Sequence, residues 1–349
     1  MPLQFPTLDA ILTHDFDTVI DVRSPAEFAL DHIPGAINLP ALDNTQRAEI
    51  GTMYKQISPF DARKVGAGMV IRNLATHIDG PLSGKDGGWR PLLYCWRGGQ
   101  RSGVFRTILS EIGWRAETVA GGYQSFRRLV YRSLYEDNLP NHLILLDGYT
   151  GTAKTELLPR LAARGVQIID LEALAQHRGS LLGAMPGGQP TQKNFETSLA
   201  VALHQLDAAR PVIVEAESSK IGKITLPPAL WTAMRAAPRI VLDAPQTARA
   251  DYLARTYCDV LADPDLLTQA LAPLRRLRGH GVVDAWIKLS RDGALTQLAA
   301  ALMLEHYDPA YDKSRRIESR DIIQTITTDR LDHDGLERAA DAVMTALPQ

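Results

Sequence analysis

Two segments of the 349-residue chain hold side chains of the right type and spacing for chemistry. The first is Tyr94-Cys95-Trp96-Arg97-Gly98-Gly99-Gln100-Arg101-Ser102-Gly103, which follows an apolar run and precedes a helical period. A loop wound between those elements turns its amides inward. Those amides, the helix N-terminus and the Arg97 and Arg101 charges hold an anion and lower a thiol pKa. Gly98 and Gly99 permit the positive φ of a tight cradle. A lone cysteine at a strand end is ordinarily a small buried hydrophobe. The flanking glycines and arginines favour a reactive Cys95, with Trp96, Arg97, Gly98, Gly99, Gln100 and Arg101 as its anion loop.

The second segment is Leu143–Asp147 running into Gly148-Tyr149-Thr150-Gly151-Thr152-Ala153-Lys154-Thr155. It is nearly G-x4-G-K-[ST] in a strand–loop–helix context. Gly148, Thr150, Gly151, Thr152 and Ala153 would hold phosphate oxygens on their amides. Lys154 adds a point charge, and Thr155 can reach a metal ion. Ala153 stands where a second glycine is usual, so the loop is either strained or narrowed. Nucleotide hydrolysis is disfavoured, because Val212–Val214 runs into Glu215 and Glu217 rather than an aspartate. Those glutamates, with Ser218, are either solvated strand-end acids or contacts to metal or substrate. Asp170, Glu172, His177, Arg178 and Ser180 also lie just past a strand end, where ligands of α/β sheets sit. His177 alone would more often be structural.

The elements that must position these groups alternate. Strands are expected at Thr18–Val22, Ala36–Leu39, Pro91–Tyr94 and Ala116–Ala120. Helices are expected at Pro25–Leu30, Thr45–Ile57, Asp61–Ile78, Ser102–Ile112 and Tyr123–Tyr135. A second run has strands at Asn141–Leu146, Val166–Ile169, Val212–Glu215 and Arg239–Leu242, and helices at Lys154–Arg164 and Gln192–Ala209. After Pro245 the pattern is helical almost to the end. Such alternation predicts parallel α/β sheets, with domains at 1–135 and 141–349 divided by the polar, Pro140-containing Glu136–Asn141.

Composition narrows the function classes. Hydrophobic residues are 45% and charged residues 22%, as in a globular protein rather than a disordered or coiled-coil one. The net charge of −2 excludes a globally basic nucleic-acid binder. Locally, residues 1–43 carry seven acids against Arg23, and residues 90–132 carry eight arginines against Glu111 and Glu117. The second stretch, Arg275-Arg276-Leu277-Arg278 and Lys313-Ser314-Arg315-Arg316 are either solvated faces or nucleic-acid contacts. Two cysteines, Cys95 and Cys258, argue against a disulfide framework and for a reduced, cytoplasmic setting. No apolar run is long enough for a membrane span, and the N-terminus lacks signal-peptide character.

Asp21-Val22-Arg23-Ser24-Pro25-Ala26-Glu27-Phe28 and His32-Ile33-Pro34-Gly35-Ala36 resemble the front half of a rhodanese domain, and Cys95 falls where its sulfur-transfer nucleophile would lie. The loop departs from common sulfurtransferases by one extra residue. Cys-x5-Arg is the spacing of cysteine-dependent phosphatases, but Tyr94 replaces their histidine. A longer cradle suits a larger anion, such as phosphate or selenophosphate. With the degenerate phosphate loop, Asp170-Leu171-Glu172, His177-Arg178-Gly179-Ser180, Glu215-Ala216-Glu217-Ser218 and the tail Glu305–Tyr311, nearly the whole chain is similar to the tRNA 2-selenouridine synthase family.

That resemblance implies a rhodanese-like parallel-sheet domain followed by a P-loop NTPase-like α/β domain with a helical C-terminal region. It implies a transferase acting on 2-thiouridine at the tRNA wobble position, with the anticodon arm as partner. Selenophosphate and geranyl diphosphate would be co-substrates, S-geranyl-2-thiouridine the intermediate, and Mg2+ a candidate ion. No tightly bound cofactor, resident metal or membrane partner is expected; oligomeric state stays open. Cys95 would serve the selenium step and Lys154 the geranyl step, while Trp96 either stacks on a base or walls the cleft. The runner-up is a rhodanese-type sulfurtransferase or phosphatase fused to a nucleotide-binding regulator. A non-catalytic module with an inert thiol is the third reading.

Overall fold

The computed structural model describes residues 1–137, 139, 142–257, 263–317 and 321–348, without the side chains of Pro264 and residues 313–317. Cys258 therefore lies outside the described residues, as do the side chains of the Lys313–Arg316 cluster and residues 138, 140 and 141 of the Glu136–Asn141 boundary. The chain forms two compact units, Met1–Asn138 with Pro190–His204, and Leu139–Gln189 with Gln205–Gln349.

In the first unit, β1 (Thr18–Asp21), β2 (Ile37–Asn38), β3 (Pro91–Tyr94) and β4 (Glu117–Thr118) form a parallel sheet in the order β2-β1-β3-β4. All four residues of β3 are buried, as expected of a central parallel strand covered on both faces. One face packs Ile20, Val22 and Leu93 against Val70 and Leu74 of helix Pro59–Asp79 and Phe105 and Leu109 of helix Gln100–Ile112. Helix Gln192–His204 also belongs to this unit, although it lies inside the 141–349 stretch. Its Phe195, Leu199 and Leu203 are buried, and Glu196 forms an ion pair with Arg127.

The second unit has five parallel strands in the order β11-β10-β5-β7-β6. They are β5 (Leu143–Asp147), β6 (Gln167–Ile169), β7 (Val212–Glu215), β10 (Arg239–Asp243) and β11 (Ile322–Thr327); β8 (Lys220–Ile221) and β9 (Ile224–Thr225) form a small hairpin. Ile144 and Leu146 of β5 face Leu157, Leu158 and Leu161 of helix Lys154–Ala163 and Ala339, Ala340 and Val343 of helix His333–Ala346. The central β5 thus delivers its C-terminal end between β7 and β10.

One expectation is corrected. The region after Pro245 is not helical throughout, because Ile322–Thr327 adds the edge strand beside β10. Five of its six residues are β-branched, which favours a pleated surface over a helix. No described helix is long and apolar enough to cross a membrane.

Candidate active site

The phosphate loop leaves the end of β5 and enters helix Lys154–Ala163. Its glycines are sterically required. A β-carbon on Gly148 would lie 2.6 Å from both the Leu242 carbonyl and Thr152 Oγ1. At Gly151 (φ +84°) it would lie 2.9 Å from Leu253 Cγ. Ala153 caps the helix in the left-handed conformation at φ 63°. Its methyl is buried in a cluster with Ala244, Tyr252, Leu331 and Leu336. An alanine here costs about 1–2 kcal/mol relative to an ordinary backbone, offset by methyl burial of about 0.8 kcal/mol. Lys154 Nζ donates to the carbonyls of Gly148 at 2.8 Å and Tyr149 at 3.4 Å, so the ammonium lies within its own loop.

Four carboxyl groups gather beside it from two neighbouring strand ends. Thr155 Oγ1 donates to Glu172 Oε2 at 2.7 Å, and the Glu172 amide donates to Glu215 Oε1 at 2.6 Å. Asp170 accepts the Ala173 amide at 2.8 Å and is also hydrogen-bonded to Glu215, while Glu172 is hydrogen-bonded to Glu217. Each carboxyl–carboxyl bond needs a proton, since two adjacent carboxylates cannot both ionise cheaply. Burial, and then the Glu172 charge, push Glu217 up to about 8 against the opposing Lys154 charge. Burial likewise raises Glu172, Asp170 and, most strongly, Glu215. Gly179 (φ +66°) makes room for this arrangement: its β-carbon would lie 2.6 Å from Glu217 Oε1 and closer still to Glu172. Among the described residues no group of three or more His, Cys, Asp or Glu is arranged to hold a metal ion.

The other wall comes from the C-terminal helices. The chain passes from helix Leu295–Leu302 through a π-turn at Met303–Tyr307 into helix Asp308–Ile317. This brings Asp308 onto Arg249 at 2.8 Å, and Arg249 donates to the Thr150 carbonyl at 3.2 Å. Tyr311 donates to Asp147 at 2.5 Å, where Asp147 also pairs with Arg239. Ser180 and Tyr257 share a 3.0 Å hydroxyl contact, and the Arg178 guanidinium lies 5.0 Å from the Tyr257 ring centroid.

These elements enclose a cavity of about 860 Å³. Lys154, Thr155, Glu172, His177, Arg178, Ser180, Glu217 and Ser218 all line it, as do Thr150, Gly151, Thr152 and Ala153. Asp170 and Glu215 do not line it; Glu215 accepts the Glu172 amide and is bonded to Asp170. Leu145, Trp231 and Met234 form an apolar wall. A leucine-lined crevice of about 40 Å³ shares Thr150, Ser180, Tyr257 and Tyr307 with the cavity.

In the first unit, Cys95 follows the last residue of β3 and is 4% exposed, and Gly99 (φ +78°) caps the following helix. Burial alone would raise the Cys95 thiol, but hydrogen bonds from the Ser102 side chain and amide, the Arg101 charge and the Gly99 amide outweigh it, so the thiol is lowered. The Ser102 hydroxyl lies 3.4 Å from Sγ. Arg101 is also held by Glu27 at 3.3 Å. Trp96, at 37% exposure, packs its ring 5.4 Å from that of Tyr123.

Several expected basic contacts are already engaged. Arg90 pairs with Asp15, Arg127 with Glu196 and Arg132 with Glu136. Arg275 pairs with Asp284 at 2.6 Å, and Arg278 bonds the His306 carbonyl at 3.0 Å.

Comparison with known proteins follows this geometry. Residues 7–129 match the rhodanese-like domain model, and residues 141–270 match the model described as the tRNA 2-selenouridine synthase AAA domain. The tRNA 2-selenouridine synthase of Aeromonas salmonicida (strain A449) is 35% identical over 326 residues, covering 84% of this chain and 86% of that protein. The chain belongs to the tRNA 2-selenouridine synthase family. The Nitrosomonas europaea member is 36% identical over 264 residues, covering 73% of this chain and 68% of that protein. The Shewanella loihica member is 36% identical over 322 residues, covering 84% and 86% respectively.

Sequence reasoning missed Trp231 and Tyr257, which line the cavity, and Arg249, which donates to the Thr150 carbonyl. The tail motif Glu305–Tyr311 was the available signal for the Arg249 contact, since it holds the Asp308 that pairs with it.

Proposed function

We propose that this protein replaces sulfur by selenium in wobble 2-thiouridine of tRNA, using geranyl diphosphate and then selenophosphate. The observation that carries the reading is one cavity with a phosphate-gripping loop at one side and an apolar wall at another. Geranyl diphosphate is a ligand of that divided character. In this reading the tail lies along Leu145, Trp231 and Met234 of the larger cavity.

In the first step the base sulfur attacks the allylic carbon of geranyl diphosphate. The carbon–oxygen bond breaks, diphosphate leaves, and the base gives up its N3 proton. Lys154 and the loop amides meet the charge that develops on the leaving oxygen. In the second step the selenium of selenophosphate bonds to C2 of the base and the C2–S bond breaks, geranyl thiol leaving with a proton; water then cleaves the Se–P bond, which releases phosphate and leaves 2-selenouridine with its N3 proton restored. Cys95, with its lowered thiol and anion-holding loop, serves this step by orienting the selenium donor.

Nucleoside analysis of tRNA incubated with geranyl diphosphate, then selenophosphate, tests the reading. S-geranyl-2-thiouridine followed by 2-selenouridine is expected. Nucleotide binding with no change in the tRNA would favour the fused-regulator reading instead.

A further inference from the structure

Helix Gln192–His204 reaches the Cys95 loop indirectly, through Asp31 and Tyr123. Asp31 is fully buried in the first unit. Its Oδ2 accepts two hydroxyls, Tyr123 at 2.7 Å and Thr197 at 3.1 Å, while Oδ1 has no hydrogen-bond partner among the described residues. The His32 amide also bonds this carboxyl group, and a buried carboxyl with so few donors depends on each of them. Arg23 and Arg127 are the cations that face it: Arg23 donates to the Asp31 carbonyl at 2.6 Å, and Arg127 is drawn to Glu196 on the same helix.

Tyr123 carries this contact to the cysteine. Its amide donates to the Cys95 carbonyl at 2.8 Å, and the next amide, Gln124, donates to the Trp96 carbonyl at 3.1 Å. Its ring lies 3.9 Å from the Arg23 guanidinium and 5.4 Å from Trp96. Any side chain on the preceding Gly122 would collide with the Cys95 carbonyl, so the two backbones meet without slack. Movement of Tyr123 therefore moves the first residues of the cradle.

We propose that Thr197 is a positioning residue for the Cys95 loop, acting through Asp31 and Tyr123. The segment that supplies it is continuous in sequence with His177–Ser180 and Met185, which line the phosphate cavity. The cysteine site is thus completed by a helix encoded within the phosphate-binding half. The proposal rests on the reading of Cys95 as the selenium-step residue only for its functional consequence, not for its geometric content.

The test uses the full chain with Thr197→Val, which keeps the shape and removes the hydroxyl, and Thr197→Ser, which keeps the hydroxyl. Cys95 alkylation by iodoacetamide is followed against pH by peptide mass spectrometry, with the thermal midpoint as control for folding. Thr197→Val is expected to raise the apparent Cys95 pKa and slow alkylation at neutral pH about three- to tenfold, the change in thiolate fraction that up to one pKa unit produces. Thr197→Ser restores the parent profile. If Thr197→Val does not fold, Tyr123→Phe removes the other hydroxyl on the same carboxylate and is expected to shift the profile in the same direction. A folded Thr197→Val or Tyr123→Phe protein with the parent pH profile overturns the proposal. Selenation retained by Cys95→Ala would instead overturn the functional reading while leaving the alkylation result standing.

Discussion

The Thr155 hydroxyl donates a 2.7 Å hydrogen bond to Oε2 of Glu172, the carboxyl group that also meets Glu217 beside Gly179. The helix start that follows the phosphate loop is thereby tied to the acids at the ends of the neighbouring strands. Gly179→Ala would force a methyl onto both carboxyl groups and strain a left-handed backbone by about 1–2 kcal/mol. Calorimetric titration with inorganic diphosphate should show affinity reduced about tenfold or more, equivalent to at least about 1.4 kcal/mol, in a protein that remains folded.

Ala153 gives a contrasting expectation. Ala153→Gly relieves the left-handed strain, but it loses a buried methyl and makes the unfolded chain more flexible. These effects nearly cancel, leaving stability within about 1 kcal/mol of the parent. Ala153→Val places a β-branched residue at φ 63° and should cost about 2–3 kcal/mol. Urea titrations of the two variants read this difference directly.

The first site was the more legible of the two in sequence, because its parts are local. The strand, the cysteine, the glycines and the capping helix are consecutive, and their conformation follows from their own residue types. The phosphate loop was legible for the same reason. Long-range pairs were not: Thr197 meets Asp31 across 166 positions, and Arg249 meets Asp308 across 59. No local period encodes them. Ile322–Thr327 is a different case, since its β-branched run carried a strand signal that the surrounding helical pattern obscured. Whether Ala153 would narrow the loop or strain it depended on φ, which the residue type alone leaves open.

Glu217 sets a pH dependence. Its pKa in the folded protein, about 8, lies above the usual 4.5. The folded state therefore holds a proton that the unfolded chain releases in that interval. The stabilisation is complete below about 4.5 and is lost as pH rises through about 8. Thermal midpoints should fall across this window, and Glu217→Gln, which stays neutral, should flatten the decline. An unchanged slope would assign the titration to another group.

Trp231 tests where the tail lies. Trp231→Ala removes apolar wall worth about 1.5–3 kcal/mol to a buried chain. The KM for geranyl diphosphate should rise about tenfold or more, while inorganic diphosphate binds within about twofold of the parent. Equal weakening of both ligands would place the tail elsewhere.

Separate tasks for the two loops are tested most directly by analysing nucleosides from 2-thiouridine tRNA treated with Cys95→Ala and with Lys154→Ala, each given geranyl diphosphate and selenophosphate. The expected result is S-geranyl-2-thiouridine without 2-selenouridine from the first variant, and neither product from the second. Formation of 2-selenouridine by folded Cys95→Ala, or of the geranylated nucleoside at the parent rate by Lys154→Ala, would contradict that division.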